Sequence, residues 1–71
     1  MKGEVKVSKV VLQYYSQPER RRIKVHLSNG NTAYISPCCD SWEIYDCYLN
    51  EKYIIIPIAQ KFNAWLHGKD F

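Results

Sequence analysis

One short stretch of the chain combines basic side chains, a type that can contact the phosphates of a nucleic acid, with an aromatic ring, which can stack on a base. Residues 18–35 hold three consecutive arginines, then a lysine and a histidine at alternate positions, then a turn and a tyrosine. Single-strand binders place cations along the phosphates and aromatic rings against unpaired bases. The candidate nucleic-acid-binding residues are Arg20, Arg21, Arg22, Lys24, His26 and Tyr34.

The same charges have a second interpretation, in which they only keep one face of a sheet in water. Lys and Arg are common on solvated sheet faces and edges, where they discourage aggregation. The net charge of +3 is modest for a nucleic-acid-binding domain. Residues 1–26 carry seven basic and two acidic side chains, and residues 27–71 carry three and five. This asymmetry suits a nucleic-acid or acidic-protein partner, and equally two copies packed head to tail.

Four aromatic residues of the second half form another candidate site. Aromatic residues make up 14% of a 71-residue chain, which is more ring surface than a small core easily covers. Tyr and Trp are enriched at interface hot spots because each ring brings a large area with few rotors to freeze. The predicted protein interface is Trp42, Tyr45, Tyr48 and Tyr53. The alternative is a satellite core beneath the loop between two helices.

The cysteines and histidines lack the spacing of a metal or thiol site. Cys38 and Cys39 are adjacent and Cys47 stands apart, so no Cys-x-x-Cys pair occurs. Adjacent cysteines do not easily bind one tetrahedral zinc together, and His26 and His67 are distant in sequence. We therefore predict no metal and no cofactor, and expect the cysteines to be small buried residues or loop thiols.

Signs of catalysis are equally weak. Asp40 and Glu43 are better explained as a helix cap than as an acid–base pair. The glycines, at positions 3, 30 and 68, are too scattered for a phosphate-binding loop. We predict that the protein is not an enzyme and has no catalytic residues.

The first half of the chain has the pattern of an antiparallel meander. Strands are predicted at about residues 4–15, 20–28 and 31–36, with a bulge near Ser8 and Lys9 where the alternation is interrupted. A three-residue loop ending at Gly30 pairs Val25 with Ala33 and leaves one face apolar and the other basic. A two-residue loop would leave neither face uniform, so the three-residue loop is favoured. Pro37 is expected to end the third strand.

The second half is predicted to be mainly helical. Asp40 and Glu43 resemble a capping box, which favours a short helix at about residues 40–49, although the alternation of Trp42 and Ile44 with polar neighbours also fits a strand. A C-terminal helix is predicted at about residues 57–67, with Pro57 in its first turn. Its apolar face and C-terminal cap are Ile58, Phe62, Trp65, Leu66 and Gly68.

These features predict one small α+β domain over residues 1–71, a three-stranded meander with helices on one face. No apolar run approaches the roughly 20 residues of a membrane span. The N-terminus has no signal-peptide core, and three cysteines without framework spacing suit a reducing compartment, so we expect a cytoplasmic protein without a membrane partner.

The preferred functional hypothesis is a non-enzymatic protein–protein interaction module that also self-associates as a homodimer. Small free-standing domains of phages and other mobile elements often act as adaptors, regulators or inhibitors by occupying a partner's surface, which is an analogy of size and class. The alternative hypothesis is a single-stranded nucleic-acid-binding protein that uses the basic residues and Tyr34.

Overall fold

Four antiparallel strands form one sheet, in sequence order, within residues 4–13, 21–38 and 41–68, which the computed structural model describes. A C-terminal helical region follows the sheet, so the α+β class is confirmed. The strands are β1 (Val7–Gln13), β2 (Arg22–Leu27), β3 (Thr32–Cys38) and β4 (Ser41–Tyr45). A 3-10 turn (Leu49–Glu51) leads into α1 (Lys52–Lys61) and α2 (Asn63–Leu66).

The β2–β3 hairpin has the predicted register. The backbone N–H of Leu27 donates to the carbonyl of Asn31 at 2.9 Å, and that of Gly30 donates to the carbonyl of Leu27 at 3.0 Å. Gly30 has a φ of 92°, a conformation that glycine adopts without strain. Val25 therefore pairs with Ala33, and the three-residue loop is confirmed. The predicted bulge in β1 is also present, between Val7 and Lys9.

The predicted helix over residues 40–49 is wrong, because residues 41–45 form the fourth strand. As a strand, β4 places Trp42 and Ile44 on the covered face of the sheet, beside Pro37 and Ile35 of β3. Both side chains pack against the core there. Burial of these two apolar side chains stabilises the strand more than the capping residues would stabilise a helix. The first capping residue, Asp40, lies outside the described residues.

Pro37 does not end β3, and the hydrogen-bond pattern explains why. Because Leu27 bonds to Asn31, alternation along the ladder makes Ile23 and Ile35 a bonded pair, with the backbone groups of Ile35 turned toward β2. The nitrogen of Pro37, two residues further, faces the same side. The β2–β3 register ends at Ile35, so the missing N–H of Pro37 removes no bond between them. The predicted end of the first strand, at about residue 15, and the predicted start of the second, at about residue 20, lie outside the described residues.

The core lies between the sheet and the two helices. Every second residue of β2 and β3 faces it, as the alternation predicts. The α1 and α2 helices close it from one side only, and no described helix packs on the opposite face of the sheet. The fully or almost fully buried apolar residues are Ile23, Val25, Leu27, Ala33, Ile35, Ile55, Ala59 and Leu66.

The C-terminal helix begins five residues earlier than predicted. It begins at Lys52, so Pro57 occupies an interior position rather than the first turn. Pro57 offers no N–H to the carbonyl of Tyr53, but both residues are exposed and water can bind that carbonyl. The helical path is interrupted at Phe62, which has φ −102° and ψ 17°, and α2 follows. The predicted packing of Ile58, Phe62, Trp65 and Leu66 on the core is confirmed.

The predicted end of the helical region is also confirmed. Gly68 has a φ of 77°, the left-handed conformation of a C-terminal cap. Its backbone N–H donates to the carbonyl of Trp65 at 3.0 Å.

None of the described helices is both long and apolar enough to cross a membrane.

A buried carboxylate ties the hairpin to the start of α1. Glu51, at the end of the 3-10 turn, is 7% exposed. It accepts hydrogen bonds from the side-chain amides of Asn29 at 2.7 Å and Asn31 at 3.2 Å. The side-chain oxygen of Asn29 accepts the N–H of Asn31, which holds the loop in shape. Two elements 20 residues apart in sequence are therefore joined by one side chain.

We expect Glu51→Ala to lower the free energy of unfolding by about 1–3 kcal/mol, because two part-buried amides lose their acceptor. Chemical denaturation followed by circular dichroism would measure the loss. Glu51→Gln, which keeps one acceptor oxygen, should lose less. A loss below about 0.5 kcal/mol for Glu51→Ala, as at ordinary surface positions, would show that these bonds do not stabilise the fold.

Candidate functional site

The face of the sheet opposite the helices, here called the open face, carries most of the predicted basic site. Arg22, Lys24 and His26 alternate along β2 with buried residues, so all three lie on this face. Tyr34 of β3 pairs directly with Lys24. The structure therefore brings four of the six candidate nucleic-acid-binding residues together.

Two cations of β2 lie near the ring of Tyr34. The guanidinium carbon of Arg22 is 5.5 Å from the centre of its ring, and Nζ of Lys24 is 5.8 Å from the same point. Both distances are within the range of cation–π attraction. These contacts hold the positive charges close to the ring, which is the combination that binds a phosphate next to a stacked base.

The β4 side of the open face is more acidic. Tyr45 pairs with Tyr34, and its hydroxyl donates a hydrogen bond to the carboxylate of Glu43. This bond, partial burial and the negative charge of Glu43 raise the pKa of Tyr45 above the ordinary 10.0. A shallow hollow of about 370 Å³ lies between the two tyrosines, lined also by Arg22, Ser36 and Asp46. The open face therefore grades from basic at β2 to acidic at β4.

Of the remaining two arginines of the predicted basic site, only Arg21 is described, and it does not lie on the open face. Arg21 turns to the helical side, where its guanidinium is 5.1 Å from the centre of the Trp65 ring and donates to the carbonyl of Trp65 at 2.8 Å. This contact ties the start of β2 to α2. Arg20 lies outside the described residues.

The four aromatic residues of the predicted interface are divided among three places. Trp42 packs on the core from the covered face of the sheet. Tyr45 lies on the open face. Tyr48 and Tyr53 flank the 3-10 turn, where they are 65% and 66% exposed. The structure does not form a single cluster from these residues.

Leu49 is a surface residue that the sequence reasoning missed. It is 83% exposed, the most of any large apolar side chain in the described residues. It stands next to Tyr48 in the 3-10 turn that leads into α1, and Tyr53 lies in the first turn of α1. A helix predicted to begin at about residue 57 gives no reason to group these three residues. Tyr48, Leu49 and Tyr53 are here called the apolar patch.

A groove runs between β4 and α1 beside the free edge of the sheet. Its volume is about 440 Å³. Trp42 and Ile44 of β4 and Ile56 of α1 supply its apolar lining, and Glu43 and Lys52 supply the charges. Because β4 is the last strand of the sheet, this groove adjoins backbone groups that no other described strand pairs with.

The surroundings of the Cys47 thiol do not favour its ionisation. Burial and the negative charge of Glu51 raise the pKa of the Cys47 thiol, and Lys52 opposes this only in part. A raised pKa keeps the thiol protonated near pH 7 and lowers its nucleophilicity. Its Sγ donates to the carbonyl of Tyr48 at 3.3 Å. Within residues 4–13, 21–38 and 41–68, no three His, Cys, Asp or Glu side chains are grouped to hold a metal ion.

Comparison with models of protein families, with curated proteins and with solved structures finds no match to this chain.

We expect Glu43→Gln to lower the pKa of Tyr45 toward 10.0, because it removes the charged acceptor that opposes loss of the phenolic proton. NMR of Cζ-labelled tyrosines across a pH titration would resolve the Tyr45 signal. Glu4→Gln neutralises a carboxylate outside the site and serves as the control. An equal pKa of Tyr45 in the wild type and in Glu43→Gln would show that the Tyr45–Glu43 bond does not form in solution.

Proposed function

We propose that the protein is a non-enzymatic protein–protein interaction module, a small adaptor, regulator or inhibitor that binds a partner protein through the apolar patch. The observation that carries this proposal is the exposure of Tyr48, Leu49 and Tyr53, at 65%, 83% and 66%. Three large apolar side chains in six residues of sequence are more than the scattered exposure of ordinary surfaces. Burial against a partner would remove this area from water.

The apolar patch is also held in place before a partner arrives. Glu51, two residues after Leu49, is anchored to the hairpin by the amides of Asn29 and Asn31. The thiol of Cys47 donates to the carbonyl of Tyr48. A surface that is already ordered loses less entropy on binding, and tyrosine adds large area with few rotors. These contacts support the patch as a docking surface.

A photo-crosslinking amino acid in place of Tyr53 would identify the partner, and binding to the purified partner would then be measured. We expect Tyr53→Ala to raise the Kd by about 30-fold or more, as at an interface hot spot. The free energy of unfolding should change by less than about 0.5 kcal/mol, because Tyr53 is largely exposed. Lys24→Ala on the open face is the control and should leave the Kd unchanged. The opposite pattern would contradict the proposal.

A second candidate function, binding of single-stranded nucleic acid, is favoured by one observation. Arg22 and Lys24 lie near the ring of Tyr34 on the open face, with Tyr45 and His26 on the same face. Cations track the phosphates and rings stack on bases in such proteins. The acidic Glu43 and Asp46 would confine a strand to the β1–β3 part of the face.

For this candidate we expect Lys24→Glu to weaken binding of a fluorescent single-stranded oligonucleotide by at least about tenfold, because it reverses a charge beside the stacking ring. Lys61→Glu makes the same change of charge on α1 and should have little effect. The affinity of the wild type should also fall steeply as salt rises. Equal weakening by the two variants, or binding that salt does not change, would rule out the open face as the binding site.

A further inference from the structure

In the part of the chain that the structure describes, the two edges of the sheet have backbone groups that pair with no other strand. Ile35 directs its N–H and C=O toward β2, so its neighbours Tyr34 and Ser36 direct theirs toward Tyr45 and Glu43 of β4. The groups of Trp42 and Ile44 must then point outward from β4. These outward groups lie beside the groove between β4 and α1.

The opposite edge is formed by β1 and the residues before it. The carbonyl of Lys6 accepts the N–H of Ser28 at 2.7 Å, and the N–H of Lys6 donates to the Ser28 hydroxyl at 2.9 Å. Both backbone groups of Lys6 therefore face the β2–β3 hairpin, and by alternation those of Val5 and Val7 face outward. The side chains of Val5 and Val7 pack against the covered side, while Lys6 is exposed.

The direction of the strands makes these two edges compatible. In an antiparallel meander of four strands, the first and the last run in opposite directions. A second copy displaced sideways by the width of the sheet, about 19 Å, would place its β1 edge antiparallel to β4. Both copies would then carry their helices on the same face.

We propose that β4 of one copy pairs with the Val5–Val7 edge of a second copy, with Lys6 of the second copy opposite Glu43. In that register, Val5 and Val7 of the second copy lie beside Ile44 and Trp42, and their side chains lie along the groove between β4 and α1. Lys6 and Glu43 meet in a non-hydrogen-bonded pair, where opposed side chains are closest. An excess of positive charge over residues 1–26 faces an excess of negative charge over residues 27–71.

Charge also disfavours the simplest symmetric alternative. If two β4 strands paired about a two-fold axis and used all four outward groups, Trp42 would bond to Ile44 of the other copy. Glu43 would then lie directly opposite Glu43 of the other copy, and like charges in that position destabilise a strand pair. Pairing of β1 with β4 replaces this repulsion with attraction. Because the contact is head-to-tail, it builds a ring or an open series of copies.

The inference adds a partner, a second copy of the chain, to the proposed function, and it uses a different surface from the apolar patch. Either can therefore fail alone. The distinguishing feature is that Lys6 and Glu43 act as a pair, so a charge swap tests it.

Sedimentation velocity over a concentration series would give the mass of the wild type and of each variant. We expect the wild-type mass to rise with concentration above the 8.4 kDa of one chain. Lys6→Glu and Glu43→Lys should each raise the dissociation constant by at least about tenfold, because like charges then face each other. An equimolar mixture of the two variants, and the double variant in one chain, should both recover association.

Lys9→Glu, with the same change of charge at the same edge of the sheet, is the matched control and should associate like the wild type. Recovery in the mixture also shows that both variants are folded, which circular dichroism checks independently. A wild type that stays monomeric, or equal effects of Lys6→Glu and Lys9→Glu, would overturn the inference. So would a dimer that Glu43→Gln strengthens, which indicates two-fold β4 pairing, or an oligomer that only Tyr53→Ala dissociates, which indicates association through the apolar patch.

Discussion

The register of the β2–β3 hairpin is the constraint on which the rest of the structure depends. The bond from Leu27 to Asn31 and the left-handed Gly30 close a three-residue loop, and that loop determines which residues of the two strands face each other. A slip of one residue would exchange the two faces, and would bury Lys24 in place of Val25. Because Ile23, Val25 and Ile35 are fully buried, such a slip would remove much of a small core.

The same register determines what the surfaces can do. It places Lys24 against Tyr34 on the open face, and it turns the backbone groups of Trp42 and Ile44 outward from β4. It also explains how β3 continues through Pro37. The loop fixes the register, and the register determines both which side chains lie on the open face and which backbone groups point outward from β4.

Glu51 extends this order to the helices. A buried carboxylate is unfavourable unless its hydrogen-bonding capacity is used, and the amides of Asn29 and Asn31 use it. The loop that sets the strand register thus also fixes where the helical region begins. Tyr48 and Leu49 of the apolar patch precede this anchor and Tyr53 follows it, so the position of the patch depends on the hairpin even though Asn31 and Glu51 are 20 residues apart in sequence. In a domain of this size, one such contact is a sizeable part of the stability.

Local patterns along the chain were sufficient to predict the α+β class, the β2–β3 register, the bulge in β1, the basic open face and the glycine cap at residue 68. Each of these depends on residues within one hairpin or one helix turn, where alternation, a left-handed glycine or helical spacing acts locally. Tertiary structure alone decided that residues 41–45 form a strand. Pairing with β3 buries Trp42 and Ile44 against the core, and this outweighs the local preference for a capped helix. Tertiary structure also decided that Arg21 turns to Trp65, away from its neighbours, and that Leu49 is exposed. These outcomes depend on what each side chain meets across the fold, and the spacing of residues along one chain does not contain that information.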